Sequence, residues 1–402
     1  MHQNFPGQFR HLAPALARRG HEVRALTDAA NRQEAGVPAW RYRFVAPEVD
    51  PAATRLGRNY TTMSDRGVTV ARAAARLRDR HGYVPDLIVG HSGWGETLFL
   101  RDVWPGARQL VYAEFHYRGH GADIGFDPEF ARPTLDGAMI ATGRAAYLVQ
   151  SLAMADRALS PTRWQASTWP PALRPLIAVI FDGVDTRELA PDPQAMFEVP
   201  GGGPVLRAGD EVLTFVNRNL EPYRGYHVFM RALPGVLAAR PAAQVVIVGG
   251  DGVSYGPPPE GGGGWKDVFL NEVRDRLDPA RVHFTGRLPR AALTRLLQVS
   301  RVHAYLTYPF VLSWSMIEAM ACGALVVASR TPPVQEVIRD GENGLLVDFF
   351  DVPGWSRRLA DALAGPMLYA PLRAQARADV VARLDLGSVC LPAQIALVEG
   401  MV

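Results

Sequence analysis

Residues 304–329 carry the stretch that decides the fold, AYLTYPFVLSWSMIEAMACGALVVAS. A first apolar run is followed by a loop with Pro309, an apolar helical segment, Gly323 and a second apolar run. A glycine in this position is typical of a helix C-terminus, and runs this apolar are typical of parallel strands buried on both faces. The stretch therefore predicts a strand, a helix and a second strand, which is the repeating unit of an α/β fold.

The same alternation extends along most of the chain. Further apolar runs occur at 86–90, 109–113, 176–180, 212–216, 244–248, 282–284 and 344–347. Amphipathic helical segments lie between them, a pattern that predicts doubly wound parallel sheets. Proline and glycine concentrate between Leu189 and Asp210, where neither a helix nor a central strand can continue. We therefore predict a domain at 1–188, a linker at 189–210, a second domain at 211–375 and a C-terminal tail helix at 376–402 that returns to the first domain.

Composition excludes several classes of protein. The chain has 402 residues, of which 48% are apolar and 21% charged, as expected of a globular protein with two or three domains. Two cysteines, Cys322 and Cys390, rule out a disulfide framework and a four-cysteine zinc site. The start lacks the basic and apolar regions of a secretory signal, and no apolar run approaches the roughly 18 residues of a membrane span. We expect a cytoplasmic protein.

The charge pattern disfavours a nucleic-acid partner. The formal net charge is +3, and lysine occurs once, as Lys266, so that arginine makes up the rest of the 43 basic residues. These arginines alternate with Asp and Glu along the whole chain, whereas a nucleic-acid binder would be expected to concentrate them on one face or tail.

The first helical segment raises a question about the start of the sheet. It begins near Phe9 and ends at Gly20, and only a loop, Met1 to Gly7, precedes it. In a doubly wound sheet the first strand is central, so its absence would leave neighbouring strands unpaired. We therefore expect an apolar strand upstream of Met1. Mass spectrometry that found Met1 as the native start of a stable protein would contradict this hypothesis.

Two arginines flank a strand-to-helix turn in the second half. The strand at 212–216 is followed by Arg218, and Arg224 stands at the entrance of the next helical segment. The carboxyl ends of parallel strands are where α/β folds bind ligands, and a helix N-terminus with two guanidinium groups favours a diphosphate. Two solvated surface arginines are the alternative, and both interpretations stay open on the residues alone.

A glutamate and a glycine pair add to this picture. Glu318 lies between Ile317 and Ala319 in an otherwise apolar segment. A buried carboxylate is costly unless it accepts strong hydrogen bonds, and a ribose diol would supply them; a solvent-facing glutamate is the alternative. The strand at 244–250 ends in a glycine pair that includes Gly250, which permits close approach of a ligand but does not complete the G-x-G-x-x-G dinucleotide motif.

Together these motifs resemble the retaining glycosyltransferases of family 4. The segment Pro309 to Gly323 and the sequence RDGENGLLV at 339–347 are similar to the donor-binding half of that family. The segment Arg218 to Gly225 is similar to its Arg and Lys pair that grips the donor diphosphate, with Arg224 in place of the lysine. The first half carries two further matches, ALSPT at 158–162 and FDGVD at 181–185.

The resemblance implies the α/β GT-B fold, two Rossmann-like doubly wound domains facing a central cleft, with no catalytic metal and no other cofactor. It implies catalytic roles for His116, Arg218, Arg224 and Glu318. It implies substrate binding by Pro6, Gly7, His91, Glu114, Gly250, Gly286, Arg287, Leu312, Ser313 and Trp314. His91 is the rival of His116 as the acceptor-domain histidine, because each follows a strand-like run.

One position departs from the family pattern. The family carries two glutamates eight positions apart, of which the second binds the ribose and the first contacts the donor sugar. Glu318 matches the second, but Phe310 stands where the first would be. This departure bears on the identity of the donor sugar and on the mechanism.

The resemblance implies metal-independent transfer of a sugar, with retention, from a nucleotide-diphosphate sugar to an acceptor hydroxyl in cell-surface polysaccharide or glycolipid synthesis. The implied partners are the nucleotide-sugar donor and a glycan or lipid-linked acceptor. Arg72, Arg76 and Arg80 share one helical face that could contact an anionic membrane, so the cytoplasmic protein is a candidate for peripheral binding to the inner face of the membrane; an ordinary solvated face is the alternative.

Two other functions compete with glycosyl transfer. A non-catalytic nucleotide-sugar-binding protein is favoured by Phe310. A nicotinamide-dependent oxidoreductase would also contain two doubly wound domains, but the missing G-x-G-x-x-G motif disfavours it.

Overall fold

The structure, a computed structural model, describes residues 1–34, 36–48 and 54–402. This part of the chain divides into two compact units. Unit 1 comprises Met1–Asp182 and Gly387–Val402, and unit 2 comprises Gly183–Leu386. Each unit is built on a parallel sheet with helices between successive strands, which confirms the predicted α/β class with two Rossmann-like units.

Unit 1 opens with the N-terminal segment and alternates strands with helices. Its strands are β1 (Ala25–Asp28), β2 (Ala39–Tyr42), β3 (Leu87–His91), β4 (Arg108–Tyr112), β5 (Arg157–Ser160) and β6 (Ile177–Val179). Its first helices are α1 (Leu12–Arg18), α2 (Arg55–His81), α3 (Leu100–Val103), α4 (Leu135–Arg144), α5 (Ala146–Ala153) and α6 (Arg163–Thr168). Short 3-10 helices cover Gly7–Phe9, Ser92–Trp94 and Arg174–Leu176. The sheet order is β3-β4-β5-β6, and β1 pairs with β2; both sets are parallel.

Unit 2 begins with a short hairpin and continues as a second alternating series. Its strands are β7 (Met196–Glu198), β8 (Val205–Arg207), β9 (Val212–Asn219), β10 (Gln244–Gly250), β11 (Val282–Gly286), β12 (Val302–Tyr305), β13 (Leu325–Ser329) and β14 (Leu345–Val347). Its helices are α7 (Tyr226–Ala239), α8 (Trp265–Val273), α9 (Arg290–Val299), α10 (Trp314–Ala321), α11 (Pro332–Gln335), α12 (Val352–Ala364) and α13 (Ala370–Leu384). Further 3-10 helices cover Pro222–Arg224 and Arg274–Arg276. A π-helical turn, Leu386–Cys390, leads back to unit 1 and to α14 (Leu391–Glu399).

The sheet of unit 2 determines where a ligand would bind. Its order is β11-β10-β9-β12-β13-β14, and the pairs are parallel. In chain order this is 3-2-1-4-5-6, the order of the doubly wound dinucleotide-binding fold. The order reverses between β9 and β12. Ligands bind at such a switch point, just beyond the carboxyl ends of the strands.

The predicted linker at 189–210 has regular structure. Met196–Glu198 and Val205–Arg207 pair in antiparallel fashion, and Gly201 and Gly202, both with positive φ, form the turn between them. Proline and glycine here shape a hairpin rather than a flexible connection, because positive φ is what a tight turn requires. The chain crosses between the units after Asp182 and after Leu386, so the crossings differ from the boundaries that the sequence predicted.

Helix α2 carries the predicted arginine stripe. Arg72, Arg76 and Arg80 are exposed, and Ala73 and Ala74 on another face are buried. In the part of the chain that the structure describes, no helix is both long and apolar enough to cross a membrane. Contact of the stripe with anionic lipid stays a prediction.

His303 on β12 makes the core of unit 2 sensitive to acid. The side chain is fully buried, and its Nδ1 lies 2.9 Å from Oγ1 of Thr214. Desolvation by burial lowers the pKa of His303 to about 3. The unfolded chain therefore binds a proton that the folded chain does not bind, and stability falls as the pH drops from about 6.5 toward 3. This residue alone contributes at most about 1.4 kcal/mol per pH unit.

We therefore expect His303→Asn to flatten the fall in melting temperature between pH 7 and pH 5. The matched control is His120→Asn, because His120 is exposed and its removal should leave the slope of the parent protein. Melting temperature measured at both pH values in all three proteins checks this prediction, and equal slopes for the two variants would contradict it.

Candidate functional site

The turn after β9 brings the chain against β12 at the switch point of unit 2. Gly225 follows the 3-10 helix Pro222–Arg224 and has a φ of +66°. A Cβ atom at this position would overlap the Cβ of Leu306, which directly follows β12. Glycine adopts this positive φ readily and has no Cβ atom to overlap Leu306. It therefore allows α7 to begin beside the carboxyl end of β12.

Arg224 is buried at this turn, with 4% of its surface exposed. Its Nη1 donates hydrogen bonds to Oγ1 of Thr307 and to the carbonyl oxygen of Val311, each at 2.8 Å. Its guanidinium carbon lies 5.0 Å from the ring centre of Tyr255 and 5.9 Å from that of Phe310. Desolvation alone would lower the pKa of Arg224, but nearby oxygen-bearing side chains, Tyr255 first among them, raise it above its ordinary value. The switch point therefore holds a buried positive charge.

The second predicted arginine lies in a different environment. Arg218, near the end of β9, is exposed, whereas its neighbour Asn219 is buried. Nη2 of Arg287 donates to Oδ1 of Asn219 at 3.0 Å. Gly250 ends β10 so close to this pair that a Cβ would lie 2.7 Å from Oδ1 of Asn219, and Gly286 ends β11 with a φ of +66°. The structure thus groups Gly250 and Arg287 around Asn219 at the carboxyl edge of the sheet.

Glu318 on α10 is buried, with 5% of its surface exposed. Its Oε1 accepts a hydrogen bond from Nη1 of Arg290, the first residue of α9. Oε1 of Glu188 lies 3.8 Å from Nε of the same arginine. Desolvation opposes the charge of Arg290, but the Glu318 carboxylate beside it raises the pKa of Arg290 above its ordinary value. The Arg290 side chain is 44% exposed, so the ion pair lies at the boundary between core and solvent.

The loop between β12 and α10 holds the other predicted donor-side residues. Leu312 is buried, and Ser313 and Trp314 are half-buried. The Ser313 N–H donates to Oη of Tyr305 at 2.8 Å, while its side chain accepts the N–H of Ser315 at 3.4 Å as the N-cap of α10. The backbone N–H of Ser313 therefore already has its hydrogen-bond acceptor within the protein.

In unit 1, β3 and β4 end side by side and bring His91 and Glu114 together. Nδ1 of His91 accepts the N–H of Gly93 at 2.9 Å, which assigns the proton of the neutral ring to Nε2. Nε2 lies 3.6 Å from Oε2 of Glu114. The ring stacks on Tyr112 with centres 5.3 Å apart, and Nε2 of Gln8 donates to the other oxygen of Glu114 at 3.3 Å. A buried histidine thus faces a carboxylate at the carboxyl edge of the sheet.

Pro6 and Gly7 lie next to this pair in the N-terminal segment. Gly7 has a φ of +47°, and a Cβ there would lie 2.9 Å from the imidazole of His2. The centre of the His2 ring is in turn 5.5 Å from that of His91. This compact turn leads into Gln8, which contacts Glu114, so two of the predicted substrate-binding residues adjoin the His91–Glu114 pair.

His116 has different neighbours. Its backbone N–H donates to Oγ1 of Thr168 at 3.1 Å, and its ring centre lies 5.5 Å from that of Trp169. Desolvation by burial lowers the pKa of His116, and the charge of Arg118 lowers it further. His116 is therefore neutral near pH 7.

Sequence reasoning missed Arg290 and Tyr255, which contact the predicted Glu318 and Arg224. Arg290 stands 28 positions before its partner, and the carbonyl and ring that surround Arg224 likewise come from distant loops. Only Arg290 carried a signal in the sequence. Its positive charge lies at the start of an amphipathic helix, next to the positive end of the helix dipole, which is an unfavourable position for an arginine.

Two family models match the chain. The model described as Glycosyl transferase family 4 group matches residues 19–189, and the model described as Glycosyl transferases group 1 matches residues 204–379.

Curated relatives include D-inositol 3-phosphate glycosyltransferases and a mannosyltransferase. The D-inositol 3-phosphate glycosyltransferase of Mycolicibacterium vanbaalenii is 31% identical over 190 residues, 47% of this chain and 40% of the relative. The one of Segniliparus rotundus is 28% identical over 58% of this chain and 49% of its own length. The chain thus spans half or less of these relatives. The GDP-mannose-dependent alpha-(1-6)-phosphatidylinositol monomannoside mannosyltransferase of Mycolicibacterium smegmatis is 27% identical over 82% of this chain and 80% of its own length.

Solved structures share the fold over almost the whole chain. Sucrose-phosphate synthase from Thermosynechococcus elongatus has a TM-score of 0.69 at 20% identity, covering 99% of this chain and 94% of that chain. Anabaena HepE in complex with UDP has a TM-score of 0.64 at 16% identity, covering 98% and 95%. With one glycosyltransferase model matching each half and this fold shared throughout, the chain belongs to the family 4 glycosyltransferases of GT-B fold.

Proposed function

We propose that this protein transfers a sugar from a nucleotide-diphosphate sugar to an acceptor hydroxyl, with retention of configuration at the anomeric carbon. The observation that carries the proposal is the buried guanidinium of Arg224 at the switch point of unit 2. A charge that is already desolvated and held by two hydrogen bonds stabilises an anion more strongly than a solvated one. A departing nucleoside diphosphate is such an anion.

Glu318 supports the nucleotide part of the proposal. Its carboxylate is buried and accepts a hydrogen bond from Arg290 at the edge of the core. A ribose diol would supply two hydroxyl donors to the same carboxylate, and hydrogen bonds to a charged acceptor are the stronger kind. The family resemblance assigns ribose binding to this position.

The proposed reaction has two parts, the departure of the diphosphate and the attack of the acceptor hydroxyl. As the bond from the anomeric carbon to the diphosphate oxygen breaks, negative charge grows on the diphosphate, and Arg218 and Arg224 stabilise it. The acceptor oxygen attacks from the face that the diphosphate leaves, and a diphosphate oxygen takes the acceptor proton. NMR of the product would test retention, because an inverting enzyme gives the opposite anomer.

The histidines of unit 1 are proposed to orient the sugar or the acceptor hydroxyl. His116 matches the family position, and its neutral ring can accept a hydrogen bond from a hydroxyl. His91 is the rival because it carries its proton on Nε2 toward Glu114. We expect the variant of the orienting histidine, and not that of the other, to lose transfer while still binding the donor.

Metal-independence is proposed on the family resemblance and on the two guanidinium groups that would take the role of a divalent cation. The acceptor is proposed to be a glycan or a lipid-linked sugar in cell-surface polysaccharide or glycolipid synthesis. The relatives support this class, since the name of one of them specifies a phosphatidylinositol monomannoside acceptor and a GDP-mannose donor. UDP-sugars are included in the test as well, because a protein with the same fold has been solved in complex with UDP.

The proposal is tested with a panel of UDP-, GDP- and ADP-sugars, measuring binding by thermal shift and turnover by release of the nucleoside diphosphate, with and without EDTA. We expect one nucleotide series to bind and turn over, with the rate unchanged by EDTA. Binding of NAD(H) with no nucleotide sugar binding would contradict the proposal in favour of an oxidoreductase.

Arg218→Ala should lower turnover of the preferred donor about tenfold, equivalent to about 1.4 kcal/mol of transition-state stabilisation. Arg218 is exposed, so the variant should fold normally. The matched control is Arg274→Ala, because Arg274 is likewise an exposed arginine of unit 2, in the 3-10 helix Arg274–Arg276. Steady-state kinetics of both variants check the prediction, and parental turnover by the Arg218 variant would refute this part of the site.

A second candidate function rests on Phe310. Its side chain is buried, with its ring centre 5.5 Å from that of Tyr223 and 4.9 Å from that of Tyr255. An aromatic side chain at the first family glutamate position favours a protein that binds a nucleotide sugar without transferring it. Tight binding with no hydrolysis or transfer, across the same panel, would select this alternative.

A further inference from the structure

The loop between β10 and α8 lies over the buried arginine of the switch point. It comprises residues 251–264, and most of them are exposed. The centre of the Tyr255 ring lies 5.0 Å from the guanidinium carbon of Arg224 and 4.9 Å from the centre of the Phe310 ring. Arg224 and Phe310 are 4% and 3% exposed, whereas Tyr255 is 36% exposed. Tyr255 is therefore the outer of the two rings, on the solvent side of Arg224.

A buried carboxylate fixes the position of Tyr255. Glu221 is 1% exposed, and its Oε2 accepts hydrogen bonds from the backbone N–H groups of Ser254 and Tyr255, each at 3.1 Å. In addition, Nδ2 of Asn219, the last residue of β9, donates to Oγ of Ser254 at 2.7 Å. Both anchors lie at the end of β9 or in the turn that follows it. Because Arg224 belongs to the same turn, the arginine and the residue that covers it are held together.

The anchored point contrasts with the tip of the same loop. Among the described residues, a Cβ atom at Gly261, Gly262 or Gly263 would meet no other atom within 4 Å, so the tip projects from the fold. A carboxylate buried as deeply as that of Glu221 is costly unless it accepts hydrogen bonds, and the backbone of the loop supplies them. Glu221 thus immobilises one point of an exposed loop, and that point carries the ring that contacts Arg224.

The Tyr255 side chain changes how the charge of Arg224 acts. An aromatic face attracts a cation, and it fills space that water would otherwise occupy. The hydroxyl group of Tyr255 is also a hydrogen-bond partner of the guanidinium. A charge that water does not screen acts more strongly on a neighbouring anion than a solvated charge does. The exposed Arg218 near the end of β9 is the opposite case, a guanidinium in contact with water.

We propose that Tyr255 is a positioning residue of the donor site, whose side chain holds the guanidinium of Arg224 in place and keeps water from it, and that Glu221 positions this side chain through the backbone of the loop. The inference rests on the proposed function, because it assigns to Tyr255 the preparation of Arg224 for a nucleoside diphosphate. Tyr255 acts through Arg224 and is not itself assigned a chemical step.

The first test measures the affinity of the full chain for UDP, GDP and ADP by calorimetry at two salt concentrations. Tyr255→Ala is expected to weaken binding of the preferred nucleotide about tenfold, because the cation loses its desolvated aromatic contact. Its affinity should also fall more steeply with salt than that of the parent, because an exposed charge is screened more than a buried one. Tyr255→Phe keeps the ring and should stay within about threefold of the parent.

Two further variants accompany this test. Tyr60→Ala is the matched control, because Tyr60 is similarly exposed, at 39%, and lies on α2 in unit 1; it should keep the parental affinity and salt dependence. Glu221→Gln replaces one acceptor oxygen with an amide group that cannot accept the loop N–H groups, so it should weaken binding in the same direction as Tyr255→Ala. Because both act on one contact, the double variant should bind about as weakly as Tyr255→Ala alone.

The second test needs no nucleotide. Phenylglyoxal modifies accessible guanidinium groups, and mass spectrometry of the peptides identifies the modified arginines. Arg224 should be protected in the parent and in Tyr255→Phe, and it should be modified in Tyr255→Ala. The exposed Arg218 should be modified in all three proteins and serves as the internal reference. Melting temperatures verify that each variant is folded, as expected for a substitution in an exposed loop.

Several outcomes would overturn the inference. Parental affinity and salt dependence in the alanine variant would leave the proposed function intact and remove Tyr255 from the site. Tighter binding by this variant would show that the ring blocks Arg224 instead of preparing it. Modification of Arg224 in the parent would show that Tyr255 does not keep solvent away. A parent protein that binds none of the three nucleotides would contradict the proposed function together with this inference.

Discussion

Replacing Arg224 with alanine is expected to lower kcat/KM for the nucleotide sugar at least a hundredfold, equivalent to about 2.7 kcal/mol. The guanidinium is buried at the switch point, where its charge is poorly screened by water. Its hydrogen bonds to Thr307 and Val311 hold it in place before the diphosphate charge develops, so little reorganisation is needed. Steady-state kinetics with the preferred donor check the prediction, alongside the melting temperature.

Two further variants separate loss of charge from loss of structure. Arg224→Lys keeps the charge, and the family resemblance places a lysine at this position, so we expect it to recover activity to within about tenfold of the parent. Arg231→Ala removes an arginine of the following helix α7, one that pairs with Glu272 and lies over the ring of Phe269, and should leave kcat/KM unchanged. If the lysine variant folds and is as inactive as the alanine variant, the charge is not what Arg224 contributes.

Glu318→Gln is expected to weaken binding of a ribonucleoside diphosphate ten- to a hundredfold. The substitution keeps the size of the side chain and removes the charge, and hydrogen bonds to a charged acceptor contribute about 1.5–3 kcal/mol. The decisive measurement is the ratio of affinities for the ribonucleotide and its 2′-deoxy analogue, by calorimetry. The parent protein should discriminate between them, and the glutamine variant should do so much less.

The neighbouring carboxylate supplies the control. Glu188 lies near the same arginine as Glu318 but is about half exposed, so Glu188→Gln should keep both affinity and discrimination. A glutamine variant at Glu318 that binds weakly yet keeps the parental ratio would assign Glu318 to holding Arg290, and ribose binding would have to be placed elsewhere.

Long apolar runs made the sheets predictable, and short or mixed strands were missed. The run at 244–248 lies within β10, and its four apolar residues, 245–248, are all buried, so that one environment selects them. By contrast, β2 reads Ala-Trp-Arg-Tyr and is partly exposed, and β5 has four residues that begin with an exposed arginine. These strands exist because a neighbour supplies their hydrogen bonds, which is tertiary information that no local pattern contains.

The candidate site was predictable in its residue types but not in its contacts. The apolar neighbours of Glu318 left both a buried and a solvent-facing carboxylate open, and the structure has it 5% exposed. Its partner Arg290 belongs to another helix, and the ring of Tyr255 that covers Arg224 comes from a glycine-rich loop. Such pairings depend on strand order and loop path. The surroundings of the two histidines likewise depend on the fold, since His91 lies beside the carboxylate of Glu114 and His116 lies beside the ring of Trp169.

The interrupted course of unit 1 has a consequence for synthesis on the ribosome. Unit 2 is one continuous segment, Gly183–Leu386, whereas the core of unit 1 that contains Phe5 and Phe9 also contains Val398 and Met401. Domains often fold in the order in which they emerge. Here unit 1 emerges first, but its core cannot be completed until Val398 and Met401 have been translated, and these residues follow the whole of unit 2 in the sequence. The second half can complete its core first, and the nascent first half is then the part in need of a chaperone.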